Sequence, residues 1–349
     1  MAFLAFENVG ISAMAACVPP KVSYSRDLTG LMSETEIEKT IESVGIREKR
    51  FAAEDVCASD LCYRAATQLI HDNGIDPESI DVLIFLSQTS DYRIPATAPI
   101  LQQRLGLAQT TACFDINLGC SGFVYALSTA FAYASAKNVN RVLLLVGETF
   151  SRITSQRDRV NAPLYGDAGT ATLVGKEDCG RSFFSLHSDG TGKDAVMIPA
   201  GGMRNPANTG NLEEKEAEDG NIRSDSQIYM DGLAVFNFAM RVVPKNIREI
   251  LEQSGVALEE IDWLIFHQAN KFMTDFFVKK LKIPAGKAPY CLDRYGNTSS
   301  ASVPLTVVSE LYGKPGKQQV LMSGFGAGLS WASAILSLGN CRISPLLEY

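Results

Sequence analysis

Histidine and tryptophan are scarce in this chain, at three and two of 349 residues. No two cysteines are spaced as CxxC and none alternates with histidine at zinc-finger intervals, which excludes a structural zinc site as a reading of the sequence; no metal is expected. Positive charge is also in deficit. The 32 lysines and arginines stand against 39 aspartates and glutamates, for a net charge of −7. A chain of pI near 5.2 lacks the basic surface that broad binding to nucleic acid or an anionic membrane requires. No charged segment followed by a small-residue cleavage site opens the sequence, so a cytoplasmic location is expected.

Long uncharged runs are few. Residues 116–136 carry no charge after Asp115, and residues 320–338 carry none. The first begins with a Gly-Cys-Ser-Gly turn and continues as a helix of small residues. The second holds three glycines and four serines, which suits strand, turn and strand better than a lipid-facing helix. Both are expected to be buried in protein, and no membrane span is expected. The eight cysteines (17, 57, 62, 113, 120, 179, 291 and 341) lie mostly in apolar stretches, as small buried thiols do.

What the sequence does have is an internal repeat. Residues 65–88 and 247–268 each read as an amphipathic helix ended by glycine (Gly74, Gly255), a short acidic connector with Ile-Asp, and an apolar strand. Glycine suits a helix end because it accepts positive φ, and unbroken apolar runs suit strands buried on both faces. CFDINLGCSG (113–122) matches CLDRYGNTSS (291–300), each expected as a short strand, a turn and a helix. RVLLLVGETF (141–150) matches QVLMSGFGAG (319–328). The period is too long for a solenoid. It implies two related α/β halves, residues 1–178 and 179–349. Residues 203–228 are polar, acidic and aperiodic, and are expected to form a surface loop or flap.

Three residues stand out for chemistry. Cys120 lies between a strand and a helix start, where the helix dipole favours a thiolate; the plain alternative is one more buried thiol. His267 replaces Leu86 of the first repeat, so one half places an imidazole where the other has a core side chain. Asn297, in Tyr-Gly-Asn-Thr-Ser-Ser, occupies the second-half counterpart of the Cys120 turn. A lone Gly-Asn is usually just a turn, but this one sits opposite the cysteine. The glycines of Gly324-Phe-Gly-Ala-Gly can turn backbone N–H groups toward an oxyanion.

Taken in order, Gly45-Ile-Arg-Glu, Gly119-Cys-Ser-Gly, Tyr165-Gly-Asp-Ala-Gly, His267-Gln-Ala-Asn, Gly296-Asn-Thr-Ser and Gly324-Phe-Gly-Ala-Gly-Leu-Ser-Trp resemble the β-ketoacyl-acyl-carrier-protein synthase III family across nearly the whole chain. The resemblance implies a thiolase-like, five-layered αβαβα fold of two pseudo-symmetric halves. It implies a Cys120–His267–Asn297 triad, with backbone N–H groups of Cys120 and Ala327 as oxyanion donors, and substrate contacts from Arg159, Asn270, Phe325 and Ile94. Lys39 and Ser43 stand where the family more often has the aromatic and the arginine that grip coenzyme A, so the acyl donor, acyl-coenzyme A or acyl-carrier protein, stays open.

The implied reaction acylates Cys120 and then condenses the acyl group with malonyl-acyl carrier protein, His267 and Asn297 holding the thioester oxygen, with no cofactor. The competing readings are a thiolase-fold acyltransferase forming no carbon–carbon bond and a silent partner subunit. A homodimer is expected, with the Ile94 loop reaching the partner's acyl pocket. Lys271, Lys279 and Lys280, on the helix after His267, are expected to dock an acidic acyl carrier protein.

Overall fold

Apolar runs of the repeat become neighbouring strands in a computed structural model that describes residues 2–284, 286–314 and 318–349. The first half supplies β1 (Ala2–Val18), β2 (Val82–Leu86), β3 (Ala112–Ile116) and β4 (Arg141–Thr149). Strand β5 (Asp167–Ser188) spans the join, and β6 (Trp263–Phe266), β7 (Gln319–Gly326) and β8 (Ser330–Ser337) complete the second half. Strand β2 pairs in parallel with β3 and β4, and β4 runs antiparallel to β5. The second half repeats the scheme: β6 is parallel to β7, β7 antiparallel to β8, and β8 antiparallel to β5.

Strands β1 and β5 pair along most of their length, Ala2 with Leu186 at one end and Cys17 with Gly169 at the other. Each therefore runs through both halves. The expected join at 178/179 falls inside β5, and residues 2–7 pair with its second-half portion.

Seven helices matter for the site: α1 (Glu34–Val44), α2 (Ala58–Asp72), α3 (Thr97–Arg104), α4 (Gly122–Ala134), α5 (Gly232–Ser254), α6 (Lys271–Leu281) and α7 (Ser302–Leu311). Strand alternation sorts the core into layers. In β4, Leu143 and Leu145 face α2 and α3, while Val142, Leu144 and Val146 face α4 and α7. On the far side, Leu264, Phe266, Leu321 and Phe325 pack against α5 and α6. The order is helix, sheet, helix, sheet, helix, the five layers that the resemblance implied. The two uncharged runs are accounted for: α4 lies buried between the sheets, and residues 320–338 form the β7–β8 hairpin. No helix among the described residues is long and apolar enough to cross a membrane.

One expectation changes. The segment expected to open 291–300 as a strand is a helical turn, Leu292–Tyr295. Its Asp293 carbonyl accepts from Arg47 N–H and Leu292 packs beside Ile46 and Tyr165, so contacts from the first half override the repeat. His187 lies in β5 with its ring flat on Trp331, centroids 5.1 Å apart. The 203–228 excursion is mostly exposed, with a helical turn at Thr209–Leu212 and a two-stranded ribbon. Arg223 anchors it through buried Asp158, 3.3 Å away.

Candidate active site

The α4 helix is apolar on every face and enters the space between the sheets. Ser121 stands at its N-cap, and Cys120 precedes it. The end of β7 crosses directly over this turn. A Cβ at position 324 would lie 2.7 Å from the Cys120 carbonyl oxygen, and one at 326 would lie 3.0 Å from its Sγ. Only glycine permits that approach, which brings the N–H of Ala327, beside Cys120's own, to the thiol. Ser299 Oγ lies 3.6 Å from Sγ. Burial pushes the thiol up to about 11, against the lowering by Ser299 and the two N–H groups; the Glu148 charge adds to the rise. Loss of hydration thus outweighs the helix-start effect read from the sequence, and the resting nucleophile is a thiol.

His267 follows the last residue of β6. Its Nδ1 is 2.7 Å from Ser302 Oγ, and its ring meets Phe325 edge to face with centroids 5.3 Å apart. Burial drives its pKa down to about 3, so the imidazole is neutral. Asn297 is fixed by its backbone, its N–H donating to Leu164 O at 2.9 Å and its carbonyl accepting from Gly166 N–H at 3.1 Å. The Asn297 Oδ1 accepts from Ser299 N–H at 2.9 Å. With the oxygen committed, the amide N–H groups are the part left for the cavity.

Cys120, His267, Asn297, Phe325 and Ala327 line one cavity of about 420 Å³. Leu164, Tyr165 and Met230 supply apolar wall, and Leu233, 70 % exposed, stands at the rim. A thiol between two backbone donors, an amide donor and an imidazole suits acyl transfer through a tetrahedral oxyanion. Among the described residues, no group of three His, Cys, Asp or Glu side chains could hold a metal ion.

Other expected site residues are more dispersed. Asn270 lines the cavity, and its Oδ1 also caps α6 by accepting from Met273 N–H at 2.8 Å. Arg159 lies outside the cavity, donating to Leu31 O at 2.9 Å and standing 3.7 Å from Glu36 on α1. Ile94 is 88 % exposed and is not among the residues lining this cavity. Lys271 is paired with Asp275 one turn along α6, whereas Lys279 and Lys280 are exposed in its last turn.

Sequence reasoning missed Ser299, Ser302 and Glu148. The serines had a signal, a polar run (Asn297–Ser302) leading into the apolar α7. Glu148 had one too, as the only acid in an apolar strand. Its carboxylate collects Ser87 Oγ, Gln88 N–H, Thr89 Oγ1 and Ser300 Oγ at 2.7–3.2 Å, tying both halves together behind the cysteine.

Family models for 3-oxoacyl-[acyl-carrier-protein] synthase III match residues 114–190, and for its C-terminal part residues 251–338. A putative 3-oxoacyl-[acyl-carrier-protein] synthase 3 of Campylobacter jejuni is 33% identical over 99% of this chain and 98% of its own. The chain belongs to this synthase III family. A β-ketoacyl-[acyl-carrier-protein] synthase III of Caldanaerobacter subterraneus is 36% identical over 94% of this chain and 97% of that one. Among solved structures, a 3-oxoacyl-(acyl-carrier protein) synthase of Burkholderia xenovorans superposes with TM-score 0.94 at 35% identity, covering 100% of this chain and 99% of that chain. The synthase III fold therefore extends over both halves.

Proposed function

We propose that this family member is a condensing acyltransferase that joins a Cys120-bound acyl group to a malonyl thioester with loss of carbon dioxide. The observation that carries it is the one cavity in which the Cys120 thiol lies between its own N–H and that of Ala327, with Asn297 and His267 on the same walls. Cys120 displaces the thiol of an acyl thioester, its proton leaving with that thiol. The malonyl thioester then loses carbon dioxide to give an enolate, whose oxygen the Asn297 amide and His267 hold. The enolate carbon attacks the acyl-cysteine carbonyl. The C–S bond to Cys120 breaks, and one proton is taken up to restore the thiol.

The malonyl group is carried by acyl carrier protein, for which the exposed Lys279 and Lys280 offer positive charge, and the working unit is a homodimer. Release of carbon dioxide from labelled malonyl-acyl carrier protein, dependent on prior acylation of Cys120, is the test. Acyl exchange without carbon dioxide release would give the reaction to simple acyl transfer instead. Neither activity, from a folded protein, would make the chain a silent subunit.

A further inference from the structure

His267 can donate a hydrogen bond to a substrate oxygen only if the ring nitrogen left for the cavity carries a proton. Three distances decide where that proton is. Ser302 Oγ lies 2.7 Å from His267 Nδ1 and 2.8 Å from the Ser299 carbonyl oxygen, and it accepts from Gln268 N–H at 3.4 Å. The hydroxyl has one proton and two lone pairs. With that proton on Ser299 O, the lone pairs receive Nδ1–H and Gln268 N–H, every group is paired, and Nε2 is bare.

With the hydroxyl turned to donate to Nδ1, the ring proton moves to Nε2. Ser299 O then loses one partner but keeps the Ser302 backbone N–H, so it is not orphaned. Both settings are open to a neutral imidazole, and the first is the better satisfied. His267 and Ser302 are both buried, so no bulk water reaches Nδ1, and the Ser299 carbonyl oxygen is a second acceptor beside the ring.

We propose that Ser302 is a positioning residue whose hydroxyl selects the His267 tautomer: Nδ1–H in the free enzyme, and Nε2–H once a malonyl thioester oxygen arrives. This rests on the condensing reading for what Nε2–H then does, while the tautomer itself does not depend on it. Cys120 acylation uses the two backbone N–H groups and is indifferent to the hydroxyl.

The test is solid-state nitrogen NMR of the full-length enzyme labelled only at histidine. The chain has three histidines, and His71→Gln and His187→Gln assign the other two signals. The free enzyme is expected to show Nδ1–H, and the enzyme saturated with a malonyl-pantetheine analogue bearing a sulfonate for the carboxylate to show Nε2–H. Ser302→Ala leaves Ser299 O as the acceptor for Nδ1–H. That variant should stay Nδ1–H throughout, acylate Cys120 as the wild type does, and condense at least about tenfold more slowly. Ser302→Thr, which keeps the hydroxyl, should recover most of the rate if it folds; the Ala variant carries the test regardless. An Nε2–H signal in the free enzyme, or wild-type condensation by Ser302→Ala, would overturn the proposal. If the wild type released no carbon dioxide from any malonyl thioester, the condensing reading would fall, and the free-enzyme spectrum would still judge Ser302.

Discussion

Cys120 and Cys113 lie within one strand-and-turn segment, yet only one of them meets two backbone N–H groups. The other is half-buried on β3, its Sγ 3.4 Å from the Thr111 carbonyl. Cys120→Ala should therefore abolish acyl-enzyme formation and Cys113→Ala should leave it intact, as read by intact mass after incubation with an acyl thioester. An acyl group on any other cysteine would refute the assignment. Glu148 makes a prediction of a different kind. Burial lifts its pKa to about 7 from 4.5, despite four hydrogen-bonding groups that favour the carboxylate. The folded state thus holds a proton that the unfolded state releases. Stability from this group is fully present below pH 4.5 and is lost as pH rises toward 7, a change on the order of 3 kcal/mol. Glu148→Gln cannot ionise, and its amide nitrogen cannot accept from Gln88 N–H. The variant should be less stable than wild type at pH 5, and that gap should narrow by pH 8 in denaturant titrations.

At the scale of single elements, α6 combines two duties. Asn270 caps its start beside His267, while Met273, Phe277 and Leu281 bury one face against β6 and β7. Lys279 and Lys280, in the last turn, complement the helix dipole whatever else they do. Lys271 is already neutralised by Asp275, so the docking role rests on the other two. Lys279→Glu with Lys280→Glu should raise KM for malonyl-acyl carrier protein, more at low salt than at high, because exposed charges act mainly on encounter. Cys120 acylation by a small thioester should not change. Unaltered carrier-protein kinetics at low salt would remove α6 from the docking surface. A helix after His267 was legible, since apolar spacing is a local signal. The 292–295 helical turn was not, since its contacts come from residues 46, 47 and 165.

The whole molecule leaves one end of its strand array open. Strand β3 is last in order, with Cys113, Phe114 and Ile116 only partly buried. An edge of this kind is a ready template for pairing with a second strand, so sedimentation should report a homodimer, and a stable active monomer would refute it. The Ile94 loop, exposed in the single chain, is then free to reach a neighbouring acyl pocket. With isoleucine there, a panel of acyl thioesters weighed as acyl-enzymes should favour a starter longer or more branched than acetyl. A sole preference for acetyl would count against the pocket.

The sequence by itself marked two related α/β halves and pointed to Cys120, His267 and Asn297, whereas the five layers and the Ala327 donor were what resemblance to the synthase III family implied. Local rules suffice for the halves: periodicity marks strands and helices, and glycine runs mark where backbone must pass close. Tertiary structure decided how those groups behave. The Ser300 bond to Glu148 joins residues 152 positions apart, and the contact of Ser299 with Cys120 joins residues 179 apart. Burial by both halves at once turned an expected thiolate into a thiol near 11 and left His267 neutral. Desolvation depends on everything that surrounds a group, and no stretch of neighbouring residues contains that information.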